Sequence, residues 1–255
     1  MMLKPYQKKA RFVDLLWSDA TDKQINFLTY IKKFYFGNKD IIFIDSACGN
    51  GRLTLPLFNK LNAKKAIGYD SSKDMISYAK REKSNKNIQY YIGDLAKFES
   101  KEKASLLFCM YTSFNYLCTD DQILSALECF KESLVDGGIA VLDLSNLFDF
   151  ALMQRGEPRV LVSKNKEFLI TQIISVIYDA KNNIWQHLET AFIEKSNGKI
   201  KRLDETHKLR YITPTEMAAF CDKVGFKIEK VFFGYSPSES VNEHRSIFIL
   251  KKQSK

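Results

Sequence analysis

Short apolar runs alternate with amphipathic segments over the first 150 residues of the chain. The apolar runs predict buried strands at Ile41–Asp45, Lys65–Tyr69, Ile88–Ile92, Ser105–Met110 and Ile139–Leu144. Between the last two strands, Thr119 and Gln122 mark a capping-box start, and Gly137-Gly138 ends the helical pattern. Strands that alternate with helical segments are typical of a parallel sheet with crossover helices, so the pattern predicts an α/β core.

The pattern changes after residue 158 to β-branched and aromatic runs that are separated by turn signals. Ser196-Asn197-Gly198 is typical of a hairpin turn. We therefore predict an antiparallel β meander inserted at residues 159–211. Its predicted strands are Val160–Val162, Phe168–Tyr178, Ile184–Ile193 and Lys199–Tyr211.

Helical order returns at Thr213-Pro214-Thr215-Glu216, where a capping threonine, a first-turn proline and a glutamate at the third helical position coincide. Gly225 ends this helix, and the strands Phe226–Tyr235 and Ser246–Lys251 follow it. Residues 212–255 are thus expected to complete the core that residues 1–158 begin.

Composition and charge disfavour several classes of protein. Hydrophobic residues make up 45% of the 255 residues and charged residues 27%, which is typical of an ordered globular protein. The net charge is +9, but the basic residues are scattered in short clusters, which disfavours a nucleic-acid-binding surface. Five cysteines without a C-x-x-C pair, and no run of about 18 apolar residues, predict a cytoplasmic protein without a membrane segment.

A glycine-containing turn follows the first predicted strand. Gly49 and Gly51 lie between Asp45 and a predicted helix, where glycines let a ligand approach the backbone at a helix N-terminus. Asp70 ends the next strand, 19 positions beyond Gly51, and can accept both hydroxyls of a ribose. The pair predicts a nucleoside site. Thr54 stands where a dinucleotide fingerprint has its third glycine, which disfavours NAD and FAD.

The residues Asp45, Ala47, Gly49 and Gly51 resemble the first motif of the class I S-adenosylmethionine-dependent methyltransferases, a turn of the type D-x-G-x-G-x-G in which Ala47 replaces the first glycine. This resemblance implies a Rossmann-like, seven-stranded and mostly parallel sheet with helices on both faces. It also implies S-adenosylmethionine as the cofactor and S-adenosylhomocysteine as the product.

Further markers of the family follow in its order up to residue 144. Asp70 resembles the ribose-binding acid, and Asp94 and Leu95 resemble the third motif, where the aspartate receives the adenine amino group. Cys109 lies in a stretch similar to the fourth motif, and the segment from Tyr6 to Trp17 resembles the N-terminal lid. The cofactor-binding residues implied by this resemblance are Tyr6, Asp45, Ala47, Gly49, Gly51, Asp70, Met75, Asp94, Leu95 and Cys109.

Acceptor-side candidates follow the fourth strand and the end of the meander. Family resemblance implies a catalytic role for Tyr111 and substrate binding by Asn115 and Tyr116. The segment Glu205–Tyr211 resembles a stretch of small-molecule N-methyltransferases of amino sugars and glycine-like amines, which implies catalytic roles for His207 and Arg210.

Period-2 alternation places Glu205 and His207 on one face of this strand and Arg210 on the other, so His207 and Arg210 are not expected to share one site. His207 is the first candidate for a general base. The three histidines are separated and show no carboxylate cluster, so no metal site is predicted; they are His187, His207 and His244.

We expect a methyltransferase that acts on the nitrogen or oxygen of a small-molecule acceptor, as a monomer or homodimer, with residues 159–211 covering the acceptor. A nucleic-acid methyltransferase is the first alternative, but the fourth motif lacks an N/D-P-P-Y/F run. A catalytically silent protein that binds the cofactor is the second alternative. A polyamine synthase is disfavoured because the residues after the fourth strand are uncharged.

Overall fold

Two β-sheets dominate the computed structural model, which describes residues 9–16, 18–146, 157–236 and 245–253. The strands of the described residues are β1 (Ile42–Asp45), β2 (Lys65–Asp70), β3 (Ile88–Ile92), β4 (Ala104–Cys109), β5 (Leu134–Ser145), β6 (Arg159–Lys164), β7 (Phe168–Asp179), β8 (Ile184–Lys195), β9 (Ile200–Arg210), β10 (Phe226–Phe233) and β11 (Arg245–Lys252). Each predicted strand is present, with ends that differ by a few residues.

The larger sheet has seven strands in the order β10-β11-β5-β4-β1-β2-β3. Strands β1 to β5 pair in parallel, whereas β11 pairs antiparallel with both β5 and β10. The chain leaves β1 toward β2 on one side and later returns to β4 on the other, so the strand order reverses beside β1. This reversal opens a crevice at the carboxyl ends of β1 and β4, where open α/β sheets bind ligands.

Helices cover both faces of this sheet, as the sequence predicts. They are α1 (Val13–Leu16), α2 (Ser18–Phe36), α3 (Thr54–Leu61), α4 (Lys73–Glu82), α5 (Asp120–Ser133) and α6 (Pro214–Val224). Leu127 and Phe220 pack with Ile44 on one face, and Leu28 and Leu57 pack with residues of the other face. Among the described residues, no helix is long and apolar enough to cross a membrane.

The caps of α5 and α6 follow the sequence signals. Thr119 with Gln122, and Thr213 with Glu216, form complete capping boxes. The predicted end of α5 is wrong, however, because the helix stops at Ser133 and not at Gly137-Gly138. Leu134 is extended and fully buried as the first residue of β5, so tertiary packing ends the helix before the glycines do.

The smaller sheet is an antiparallel meander in the order β6-β7-β8-β9. Along β9, Glu205 and His207 are buried while Lys208 is exposed, which confirms the predicted alternation. The segment Lys9–Leu16, which includes a short 3-10 helix and α1, lies against the buried face of this sheet. Phe12 is 1% exposed and packs among apolar side chains of β7, β8 and β9.

Candidate active site

The loop between β1 and α3 has a shape that requires glycine. Gly49 and Gly51 have φ angles of +54° and +79°, which L side chains rarely adopt. A Cβ on Gly51 would lie 2.8 Å from Oη of Tyr90, so this position is also sterically closed. A Cβ on Gly49 would meet no atom within 4 Å. The loop therefore presents open backbone surface at Gly49 and is packed at Gly51.

Asp70 joins this loop to the start of α4. Its Oδ2 accepts a hydrogen bond of 2.8 Å from the backbone N–H of Gly49, and its Oδ1 accepts one of 2.8 Å from the N–H of Ser72. Burial raises the pKa of Asp70, although these two N–H groups act to lower it. Each carboxylate oxygen is therefore held in place by one donor and retains acceptor capacity for a ligand.

Two adjoining clefts meet at Asp70. The inner cleft has a volume of about 90 Å³ and the outer cleft about 460 Å³, and both are lined by Ala47, Asp70 and Ser113. The inner cleft is also lined by the predicted site residues Asp45, Gly49, Met75 and Tyr111. The outer cleft is also lined by the predicted site residues Asp94, Leu95 and Tyr116. The structure thus brings most of the predicted cofactor-binding residues together along one continuous groove.

Among the described residues, two of the predicted cofactor-binding residues line neither cleft. Tyr6 lies outside the described residues. Gly51 lines neither cleft, but it supports the loop through its φ angle. Cys109 is fully buried in the core beside Ile44, and its side chain lines neither cleft. The fourth-motif likeness gave the position of the strand, but β4 points this side chain into the core.

Asp45 is a buried acid on the wall of the inner cleft. Asp45 is 2% exposed, and its Oδ2 accepts a 2.7 Å hydrogen bond from Oγ1 of Thr54. Burial raises the pKa of Asp45 to about 7, because desolvation outweighs the hydrogen bond and the nearby charge of Arg52. The protonation of this group therefore changes near neutral pH.

Asn50 and Arg52 are loop residues whose importance the sequence did not indicate. Asn50 is fully buried, and its Nδ2 donates to the carbonyl oxygen of Ala10 at 2.8 Å and to Oδ1 of Asp14 at 3.0 Å. Arg52 lines the inner cleft and donates to Thr21 and, at 3.1 Å, to Gln24. The loop is therefore tied to the N-terminal segment and to α2.

Tyr116 and His207 connect the outer cleft to the meander. Oη of Tyr116 lies 2.7 Å from Nδ1 of His207. Nε2 of His207 lies 3.5 Å from Oε2 of Glu189 and 3.5 Å from Oε2 of Glu205, both of which are buried. Because carboxylates accept only, the proton of a neutral His207 ring is assigned to Nε2, and Nδ1 then accepts the hydroxyl proton of Tyr116.

A buried ammonium group forms ion pairs with both of these acids. Nζ of Lys9, a residue only 2% exposed, lies 2.6 Å from Oε1 of Glu189 and 2.9 Å from Oε2 of Glu205. Burial acts to raise the pKa of Glu189, but the hydrogen bond from His207 and the charge of Lys9 outweigh it and lower that pKa to about 2. Glu189 is therefore ionised at neutral pH.

The premise of the metal prediction is wrong, because His207 does stand in a carboxylate cluster. One ligand atom from each of Glu189, Glu205 and His207 lies within 4.8 Å of the others, so the three could hold a cation. The ammonium group of Lys9 lies between the same two carboxylates. No periodicity or motif in the sequence predicts the contact between Lys9 and Glu189, since 180 positions separate them.

Two acceptor-side candidates, Arg210 and Asn115, line neither cleft. Arg210 lies on the outward face of β9 and forms ion pairs with Asp120 at 2.6 Å and Glu216 at 2.9 Å, so its charge is used to join α5 and α6 to the meander. Asn115 is fully buried and lines neither cleft. Its amide donates to the carbonyl oxygen of Arg210 at 2.8 Å and accepts from the N–H of Ser145 at 3.1 Å, which is a structural role.

Comparisons with known proteins find similarity to methyltransferases. A family model described as a methyltransferase domain matches residues 43–138. YqeM of Bacillus subtilis strain 168, whose methyltransferase name is provisional, is 23% identical over 224 residues, 83% of this chain and 84% of YqeM. A Streptomyces venezuelae enzyme named dTDP-3-amino-3,4,6-trideoxy-alpha-D-glucopyranose N,N-dimethyltransferase is 31% identical over 100 residues, 39% of this chain and 40% of the enzyme.

A solved structure shows the same fold over nearly the whole chain. The S-adenosylmethionine-dependent methyltransferase from Clostridium acetobutylicum ATCC 824 has a TM-score of 0.78 at 21% identity, with 98% of this chain and 99% of that chain covered. The family match begins in β1 and includes the glycine-rich loop, Asp70 and Asp94. Residues 43–138 therefore form a methyltransferase domain, the fold is that of the class I S-adenosylmethionine-dependent methyltransferases, and S-adenosylmethionine is the cofactor that these comparisons support.

Proposed function

We propose that this enzyme transfers a methyl group to the amine nitrogen of a small molecule that enters beside Tyr116. The observation that carries the proposal is the chain of contacts from Tyr116, in the outer cleft, through His207 to Glu189 and Glu205. It is supported by the similarity to the Streptomyces venezuelae enzyme, whose name describes transfer to an amino sugar. Residues 159–211 are proposed to cover this acceptor.

The groove fits the cofactor. We assign the ribose hydroxyls to Asp70, whose oxygens each retain acceptor capacity, and the adenine to Asp94 and Leu95 in the outer cleft. The cationic methionine end is assigned to the inner cleft, where Asp45 supplies a carboxylate and Gly49 leaves the backbone open. When bound, S-adenosylmethionine supplies a methyl group on a sulfonium sulfur, an electrophile that needs an in-line lone pair.

An amine acceptor must present its nitrogen lone pair, so it must be bound neutral or lose a proton. Oη of Tyr116 can take that proton while its own hydroxyl proton passes to Nδ1 of His207. The resulting imidazolium ring faces Glu189 and Glu205, whose negative charges stabilise it. Tyr116 is then the group that meets the acceptor, and His207 acts behind it.

The experiment is a turnover assay with S-adenosylmethionine and matched pairs of small acceptors, each pair differing only in an amino or a hydroxyl group. A nucleotide-linked amino sugar and its hydroxyl analogue form the first pair, and S-adenosylhomocysteine is the measured product. We expect turnover of the amine and at least about a hundredfold slower turnover of the hydroxyl compound, because the proton acceptor at Tyr116 is matched to an amine. Equal turnover of both compounds, or no turnover of any amine, contradicts the proposal.

A further inference from the structure

Two consecutive residues after β4 have left-handed backbone angles. The φ angles are +58° at Tyr111 and +67° at Thr112, and neither residue is glycine. Such a conformation is unfavourable for L side chains and persists only where surrounding groups hold it. Tyr111 lines the inner cleft, next to Met110 and Arg52, so the strained pair lies at the wall of the cofactor site.

Asp143 on β5 holds both backbone N–H groups of this pair. Its Oδ2 accepts from the N–H of Tyr111 at 2.7 Å, and its backbone carbonyl accepts from the N–H of Thr112 at 3.1 Å. Asp143 is fully buried, and Oη of Tyr235 also donates to its Oδ2 at 2.5 Å. A buried carboxylate with a donor on each side is a rigid support.

Arg245, the first residue of β11, completes the support. Its Nε donates to Oδ1 of Asp143 at 2.7 Å, and its Nη1 donates to Oγ1 of Thr112 at 2.5 Å. The guanidinium carbon of Arg245 also lies 5.4 Å from the ring centroid of Tyr111, and that of Arg52 lies 5.6 Å from the same centroid. The ring and the backbone of Tyr111 are therefore held by the same group of charged residues.

We propose that Asp143 and Arg245 are positioning residues for methyl transfer, which act by holding Tyr111 and Thr112 in their left-handed conformation so that the Tyr111 ring forms the wall of the cleft. Tyr111 supplies a ring to the lining of the inner cleft, and a glycine that relieved the strain would supply none. The inference requires methyl transfer but not an amine acceptor, so it stands or falls separately from the proposed function.

The test uses Arg245→Met, which keeps an unbranched apolar stem and removes the hydrogen bonds of the guanidinium group, in the 255-residue chain. We expect kcat to fall at least about tenfold while the Kd for S-adenosylmethionine changes less than about threefold, because misplacement costs more in rate than in binding. Arg202→Met is the matched control, since Arg202 is 62% exposed in the outward-facing pair with Asp204. That control is expected to leave kcat unchanged.

A glycine variant separates positioning from general stability. Glycine adopts a φ of +67° without strain, so Thr112→Gly removes the need for support at this position, and the kcat of this single variant is the reference for the double variant. The double variant Arg245→Met with Thr112→Gly is expected to recover at least about fivefold of the lost kcat, because the backbone then needs less support. A folded Arg245→Met variant with normal kcat, or a loss that Thr112→Gly does not repair, overturns the proposal.

Discussion

The carboxylate of Asp70 accepts a hydrogen bond from the backbone N–H of Gly49 at 2.8 Å, and so joins the end of β2 to the loop after β1. One side chain therefore orients both the glycine-rich loop and the expected ribose contact. A change at Asp70 is therefore expected to remove a ligand contact and a loop support together.

Asp70→Ala is expected to weaken the binding of S-adenosylmethionine by about 2 to 4 kcal/mol, because two charge-assisted hydrogen bonds to the ribose are lost. Calorimetric titration with S-adenosylmethionine and S-adenosylhomocysteine measures this, with NAD as the negative ligand. Asp74→Ala is the control, since Asp74 is an exposed acid on the same stretch of chain. Normal affinity in the Asp70 variant contradicts the site assignment.

The affinity for S-adenosylmethionine is expected to rise with pH across neutrality. Burial raises the pKa of Asp45 to about 7, and the ionised carboxylate favours a cationic ligand. If only the ionised form binds well, affinity rises about tenfold between pH 6 and pH 8. Measurements of Kd at several pH values test this, and Asp45→Asn is expected to remove most of the dependence. A dependence that survives in the Asp45 variant assigns it to another group.

The raised pKa of Asp45 affects folding stability in the opposite direction, lowering it as the pH rises. The pKa of Asp45 is higher in the folded protein than its ordinary value of 3.8, so the folded state binds more protons in this range. Asp45 alone is therefore expected to make the protein less stable as the pH rises from about 4 to about 7. Asp45→Asn is expected to flatten this part of the curve of unfolding free energy against pH, as measured by chemical denaturation.

Lys9→Met is expected to destabilise the fold by about 3 to 5 kcal/mol, because it leaves two buried carboxylates with an uncompensated charge. Lys9, Glu189 and Glu205 are each less than one-tenth exposed, so solvent screens the pair weakly. Denaturant unfolding measures the loss. The double variant Lys9→Met with Glu205→Gln is expected to be more stable than Lys9→Met alone, and the absence of any such recovery rules out charge imbalance as the cause.

Tyr116→Phe is expected to lower kcat about a hundredfold and to leave the Kd for S-adenosylmethionine within about a factor of two, because it removes a proton acceptor and not a cofactor contact. His207→Gln is expected to give a similar loss and to change the pH profile of kcat. Steady-state kinetics with the best amine acceptor measure both. A Tyr116→Phe enzyme with unchanged kcat shows that the acceptor loses its proton elsewhere.

Much of the fold could be predicted from local patterns. The strands, the capping boxes at Thr119 and Thr213 and the buried face of β9 follow from hydrophobic period and short-range hydrogen bonding. The end of α5 could not be predicted, because the burial of Leu134 in the sheet outweighs its helical spacing. Local signals work where the partners lie within a few residues of one another.

The candidate site also contains some residues that local motifs predict and others that they do not. Asp45, Gly49 and Asp70 belong to short motifs, and the structure brings them to one groove. By contrast, Arg210 joins residues of α5 and α6, and Lys9 reaches Glu189 across 180 positions, so only the folded chain shows their partners. No local pattern predicts that Asn115 is enclosed between β5 and the end of β9.

The segment Lys9–Leu16 joins the meander to the glycine-rich loop. Lys9 binds the acids of the meander, while the carbonyl of Ala10 and the side chain of Asp14 accept from Asn50 in the glycine-rich loop. A ligand that moves this segment at either contact is therefore expected to change the affinity for a ligand at the other. By thermodynamic reciprocity, the factor by which an acceptor strengthens cofactor binding equals the factor by which the cofactor strengthens acceptor binding.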